Sequence, residues 1–244
     1  IESECSLRQF EFEMAHQEPG TQRPGRVILV TEDECEFCHE IQIARSRRVL
    51  QVARMSDMSV AIRAVCFDLD NTLWDSDVVI GRAELRLRDW LERHYPLLPQ
   101  AYSVAEMRAE RLRLIQAEPQ AAHDLSYVRR ECLARHAAAV GYGRDVAEQA
   151  FEVFLTARNE LELFADVRSA LARLGQRYTL ASLTNGNADL VRIGIGDWFA
   201  VSLTAADVGA AKPHAHAFER TLQALALDAP EVVYVGDDPH LDIA

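Results

Sequence analysis

A chain of 244 residues is long enough for one large domain, or for a core domain carrying a smaller insertion. At 49% hydrophobic and 26% charged it can bury a real core and is not globally disordered. Its 38 acids against 26 Lys and Arg give a formal charge of -12, which repels a phosphate backbone and argues against a nucleic-acid partner. No apolar run approaches the roughly 18–20 residues of a membrane span, so no membrane partner is expected. The opening Ile1-Glu2-Ser3-Glu4 lacks the basic-then-apolar order of a secretory signal, and five cysteines, an odd number, do not describe a disulfide framework. A soluble, cytoplasmic protein is expected.

Residues 1–57 differ in character from the rest, with a Pro/Gly stretch and one strand-like run, Val27-Ile28-Leu29-Val30. They read as an extension of unknown status, with Met55 or Met58 as candidate starts and a non-native origin open. Ala61–Phe67 is an apolar run ending in acids, the pattern of a buried parallel strand. From 82 to about 163 the chain reads almost entirely as helix. Ser103-x-x-Glu106 is a capping box, further helices cover 124–139 and 145–162, and Gly141 and Gly143 separate them. Asp166–Leu174 is helical and closed by Gly175. Thr179–Leu183, Val201–Leu203 and Glu231–Val235 are short strands, and Lys212–Leu225 is mostly helix. A strand, a long helical insert, then helix–strand alternation predict an α/β fold: a Rossmann-like, doubly wound parallel sheet interrupted by an all-helical domain. The core takes 60–75 and 164–244, and the helical insert takes 76–163.

Chemistry in open α/β sheets sits outside the carboxyl ends of the strands. Three of the predicted strand ends carry polar groups of one kind. They read Phe67-Asp68-Leu69-Asp70-Asn71-Thr72-Leu73, Leu183-Thr184-Asn185-Gly186-Asn187 and Val235-Gly236-Asp237-Asp238, with Asp242 one turn on. Acidic turns and helix caps produce such ends too, since Asp and Asn favour both. Gathered in one crevice, however, these carboxylates repel one another unless a cation sits among them, and hard oxygens suit magnesium. Lys212 is the single lysine beside twenty-five arginines. A compact ammonium fits between a carboxylate and a phosphate where a planar guanidinium does not. Pro213 after it suits the first position of a helix.

Taken in order, the Asp68–Leu73 stretch, Leu183–Gly186, Lys212-Pro213 and Val235-Gly236-Asp237-Asp238-x-x-x-Asp242 resemble the four motifs of the haloacid-dehalogenase-like (HAD) hydrolase superfamily, over residues 61–244. The helical insert resembles the cap of its phosphatase branch. Three further stretches resemble the bacterial phosphatases that act on the phosphorylated ribitylamino-uracil of riboflavin synthesis and on FMN. They are His123-Asp124, Thr184-Asn185-Gly186-Asn187-Ala188 and Gly194-x-Gly196-Asp197-Trp198-Phe199.

The resemblance implies a magnesium-dependent phosphoric monoester hydrolase acting on a small-molecule phosphate ester, as a monomer or weak homodimer. In it Asp68 is the nucleophile, Asp70 the acid and base, and Thr184, the amide of Asn185 and Lys212 bind phosphate. Magnesium is held by the Asp68 carboxylate, the Asp70 carbonyl and Asp237, while Asp238 and Asp242 orient ligands or metal waters. Halide leaves without a proton, so an acid at Asp70 favours phosphatase over dehalogenase. A phosphomutase with the same cap type shares both acid and metal and stays open, as does an inactive fragment.

Other features carry weaker signals. Cys35-Glu36-Phe37-Cys38-His39 matches a haem attachment pattern and half a zinc site, which would make 1–57 a metal or redox module. His214-x-His216 reads as an exposed helix face. Trp74, Trp90 and Trp198 read as packing residues, Trp74 being the best placed to touch a flat ring. The superfamily's sheet order 5-4-1-2-3 implies that the Glu231–Val235 strand, with no following strand before Ala244, is an open apolar edge unless Val27–Val30 covers it.

Overall fold

The computed structural model describes residues 51–53 and 61–242. Its centre is a five-stranded sheet of β1 (Gln51–Ala53), β2 (Ala64–Phe67), β3 (Thr179–Thr184), β4 (Val201–Thr204) and β5 (Val232–Gly236), in spatial order β1-β5-β2-β3-β4. Strands β2 to β5 run parallel, whereas β1 is antiparallel to β5. The sequence Ala-Val-Cys-Phe of β2 shows no polar alternation because both faces are covered. Val65, Phe67, Leu180 and Val233 enter one core cluster, and Cys66, Ala181, Leu183 and Tyr234 enter the other.

Nine α-helices are described: α1 (Ser76–His94), α2 (Leu97–Ala101), α3 (Val104–Ala117), α4 (Leu125–Ala139), α5 (Asp145–Asn159), α6 (Val167–Leu174), α7 (Leu190–Ile193), α8 (Ala205–Val208) and α9 (Ala215–Leu225). Val167, Leu171 and Leu174 of α6 cover one face of the sheet, and Ala217 of α9 the other. The helices between β2 and β3 build a core of their own. Ala83, Leu87 and Leu91, spaced four apart on α1, meet Ala150, Phe151 and Phe154 of α5. The Ser103–Glu106 capping box opens α3 as expected, and Asp124 caps α4 by accepting from the Tyr127 amide. Helix begins at Ser76 rather than near 82, because Asp75 accepts from the Val78 amide and Asn71 Oδ1 takes the Ser76 amide. Among the described residues no helix is long and apolar enough to cross a membrane.

Register positions the chemistry. Phe67 lies opposite Ser182 on β3 and Val235 on β5, and the Asp68 amide continues the ladder to the Val235 carbonyl at 2.8 Å. Asp68, Thr184 and Asp237 therefore emerge at the same edge of the sheet.

Two expectations are corrected. The β5 edge is not open: Gln51–Ala53 pairs with Tyr234–Gly236. Backbone amides and carbonyls accept any extended partner, so a segment without a strand-like apolar signature can fill an edge. Val27–Val30 and Cys35–His39 lie outside the described residues. Pro213 is not the first helical residue either. It follows a cis Lys212–Pro213 bond, and His214 is the N-cap of α9, its Nδ1 accepting from the His216 amide.

Candidate active site

Asp68 and Lys212 are both buried, and they meet although they lie 144 residues apart. Lys212 Nζ donates to Asp68 Oδ1 at 2.8 Å, to Asp242 Oδ1 at 2.5 Å and to the Tyr234 hydroxyl at 2.7 Å. Three acceptors saturate an ammonium, so the position suits lysine and leaves no donor idle. Tyr234 in turn donates to the Leu183 carbonyl at 2.8 Å, anchoring the cluster to β3. Asp242 presses against Gly236 so closely that a Cβ there would collide with its carboxylate, which explains the glycine in Val235-Gly236-Asp237. The Asp238 amide donates to Asp242 Oδ2 at 2.9 Å, and Asp238 Oδ1 accepts from the His240 amide, folding the loop after β5.

Asp70 sits where the loop after β2 bends, just before Asn71 at φ 58. Its Oδ1 accepts from Trp74 Nε1 at 2.9 Å, and Arg158 Nη2 reaches both its oxygens, at 2.6 and 2.8 Å. A Cβ on Gly186 would strike Asp70 Oδ2 and lie 3.3 Å from Thr184 Oγ1, so the glycine lets the ends of β2 and β3 close on each other. Thr184 is buried and its Oγ1 accepts from the Gly186 amide at 2.9 Å, leaving its hydroxyl proton available. The Asn185 side chain binds the backbone of Lys212 twice, Oδ1 accepting at 2.7 Å and Nδ2 donating at 2.9 Å. The site thus joins Asp68, Asp70, Thr184, Asn185, Lys212 and Asp237.

Its electrostatics show an excess of negative charge. Burial pushes the Asp68 carboxyl up to about 7; Lys212 opposes this and Asp242 adds to it. Burial disfavours the Lys212 ammonium, but Asp68 and Asp242 outweigh it and hold the lysine above its ordinary value. Asp237 is raised by burial and then by Asp242, while Thr72 Oγ1, 3.3 Å from its Oδ1, pulls the other way. Among the described residues, Asp68, Asp237 and Asp242 form a group in which one ligand atom from each lies within 4.8 Å of the others. Three carboxylates face one ammonium here, and a hard oxygen set of this kind fits magnesium.

Other candidates fall elsewhere. Trp74 is fully buried with its indole N–H committed to Asp70, so it cannot touch a substrate ring. Trp90 packs beside Tyr95, 5.3 Å between ring centroids, and Trp198 packs against the core. Asn187 Nδ2 donates to Ser126 Oγ at 3.2 Å, bringing the loop after β3 to the start of α4, where His123 and Asp124 lie. Sequence reasoning missed Arg158 and Tyr234. Arg158 is one of twenty-five arginines, and Tyr234 stands in an apolar strand run, so neither had a signal of its own.

The chain resembles known proteins in sequence and in fold. The sequence is 27% identical over 186 residues to the 5-amino-6-(5-phospho-D-ribitylamino)uracil phosphatase YigB of Escherichia coli (strain K12), covering 75% of this chain and 78% of that one. Among solved structures, 2-haloacid dehalogenase from Pseudomonas syringae pv. Tomato DC3000 superposes with a TM-score of 0.66 at 38% identity, covering 70% of this chain and 76% of its own. The HAD-hydrolase YfnB from Bacillus subtilis, bound to magnesium, superposes with a TM-score of 0.52 at 21% identity, covering 75% and 82%. The sequence model of the haloacid dehalogenase-like hydrolases matches residues 62–244, which contain every strand end and side chain of the site, and the chain belongs to that family of enzymes.

Proposed function

We propose that this hydrolase is a magnesium-dependent phosphatase that cleaves a small-molecule phosphate monoester through an aspartyl-phosphate on Asp68. The observation that carries this reading is the Asp70 carboxylate, held by Trp74 and Arg158 at the strand-end cleft and pressed against Gly186. An alkoxide leaving group needs a proton, whereas halide does not. Asp68 attacks phosphorus in line as the bond to the leaving oxygen breaks, and that oxygen takes a proton from Asp70. Asp70 then takes a proton from water, whose oxygen attacks the same phosphorus and returns Asp68 as a carboxylate with inorganic phosphate. The Thr184 hydroxyl and the Asn185 amide donate to phosphate oxygens, and Lys212 neutralises charge that develops on them.

The Asp68 carboxylate, the Asp70 carbonyl and Asp237 would hold magnesium. When bound, the ion shields the anionic nucleophile from the anionic phosphate. Asp242 belongs to the same carboxylate group, but its oxygens are taken by Lys212 and the Asp238 amide, which fits an orienting role. Residues 76–163 serve as the cap, and 60–75 with 164–244 as the core. The likeness to the Escherichia coli enzyme supports the ribitylamino-uracil phosphate as substrate, with FMN as the companion candidate. We place the enzyme in the cytoplasm, as a monomer or weak homodimer.

A second reading, 2-haloacid dehalogenase, is favoured by the 38% identity to the Pseudomonas protein. The two separate in one experiment. The purified chain is offered a panel of phosphate esters (the ribitylamino-uracil phosphate, FMN, sugar phosphates) and 2-chloropropionate, each with magnesium and with EDTA. Phosphate release that needs magnesium is expected. Chloride release unaffected by EDTA, without phosphate release, would overturn the phosphatase reading.

A further inference from the structure

We infer that Arg158, on the last turn of the helical segment, is the positioning residue for Asp70, and that acid–base catalysis in the core therefore depends on the seating of α5. This rests on the phosphatase reading above. Arg158 is 1% exposed, among the most deeply buried large side chains of the described residues. A buried guanidinium is costly unless an anion and hydrogen bonds compensate it. Here the compensation is a single carboxylate: Nη2 donates to both oxygens of Asp70, while Nε and Nη1 are buried without a partner. An apolar side chain of similar volume would fill the same space without leaving two donors idle. What Arg158 supplies that packing does not is a fixed direction for Asp70.

The surroundings make that direction rigid. Trp74 Nε1 holds Asp70 Oδ1 from within the loop, and the Arg158 guanidinium lies 5.7 Å from the Trp74 ring centre, so indole and guanidinium bracket one carboxylate. The next residue pins the same helix end to the other motif loop. Asn159 Oδ1 accepts from the Asp189 amide at 2.8 Å, and its Nδ2 donates to the Leu155 carbonyl. The C-terminus of α5 is thus tied to the loop after β2 through Arg158 and to the loop after β3 through Asn159. Displacing α5 would carry Asp70 with it.

The test uses Arg158→Met, which keeps volume, and Arg158→Lys, which can still place one nitrogen on the carboxylate, each in the full chain and in the Asp70→Asn background. Activity is read on the best alkyl phosphate of the panel and on p-nitrophenyl phosphate, whose leaving group departs without a proton. For Arg158→Met we expect kcat on the alkyl ester to fall about a hundredfold with KM nearly unchanged. On p-nitrophenyl phosphate it should give a burst of about one product per site at near the parental rate, then slow turnover, because water activation still needs Asp70. Arg158→Lys should recover about tenfold of the loss. In the Asp70→Asn background Arg158→Met should add nothing further. Equal losses on both esters without a burst, or a further drop in the double variant, would overturn the inference. If Arg158→Met does not fold, the same comparison in Arg158→Lys decides. A parent chain that releases phosphate from no ester overturns the phosphatase reading instead, and this inference with it.

Discussion

Two largely buried charge clusters, one in the helical segment and one at the strand ends, show how differently the same ingredients are used. In the helical segment Glu84 Oε1 accepts from Arg111 and Arg129, each at 2.9 Å, and the Arg129 guanidinium lies 3.4 Å from the Phe154 ring centre. Two cations share one anion, and the surplus charge faces an aromatic ring that attracts it. Burial still pushes Arg129 down to about 10, with Glu84 opposing. At the strand ends the imbalance has the other sign: among the described residues Asp68, Asp237 and Asp242 face the single ammonium of Lys212. The first cluster is closed by the protein's own groups. The second keeps an excess of negative charge, as the proposed magnesium site requires, which separates it from an ion network that only holds helices together.

Four substitutions can break or sharpen this contrast. The largest effect is expected from Asp68→Asn, which keeps shape but removes the proposed nucleophile and metal ligand. Phosphate release should fall by at least about a thousandfold with the melting transition retained, and turnover within tenfold of the parent would remove Asp68 from its role. Next, Lys212→Arg should lose about a hundredfold, close to Lys212→Ala, because a planar fork cannot reach the three oxygens that Nζ touches. Steady-state kinetics on the arginine variant check this, and full activity would refute the fit.

In the helical cluster the readout moves from activity to stability. Glu84→Gln should cost about 3 kcal/mol in chemical denaturation by leaving two guanidinium groups without their anion, with kcat unchanged in the folded fraction. A loss of activity without loss of stability would contradict the division between the clusters. The smallest effect is expected at Thr72, whose hydroxyl lies 3.3 Å from Asp237 Oδ1. Thr72→Val should weaken magnesium activation about tenfold, measured by titrating the ion against turnover.

What was legible in the sequence were features whose chemistry is local or whose rarity is visible. Asp68, Asp70, Asp237 and Asp242 stand next to apolar strand runs, and Lys212 stands out as the lone lysine, so their convergence could be read from order and spacing. The parallel sheet followed from uninterrupted apolar strands. Pairings that any residue could make were not legible. Gln51–Ala53 pairs with β5 along the strand ladder, which any extended segment can do. Arg158 reaches Asp70 across 88 positions, and nothing about it differs in sequence from the arginines on exposed helix faces. Trp74 is the packing residue the sequence suggested, but its position just after the Asp68–Leu73 stretch says nothing of its full burial or of its bond to Asp70.

The double hydrogen bond between the Asn185 side chain and the backbone of Lys212 has a dynamic consequence. A carboxamide offers one acceptor and one donor side by side, as a neighbouring strand does, so Asn185 extends the pairing surface of β3 sideways to a residue that lies in no strand or helix. The Lys212 amide, in a connecting segment, should therefore exchange its hydrogen with solvent as slowly as amides of the central sheet. The segment between β4 and α9 is then anchored at the one point where its side chain enters the site.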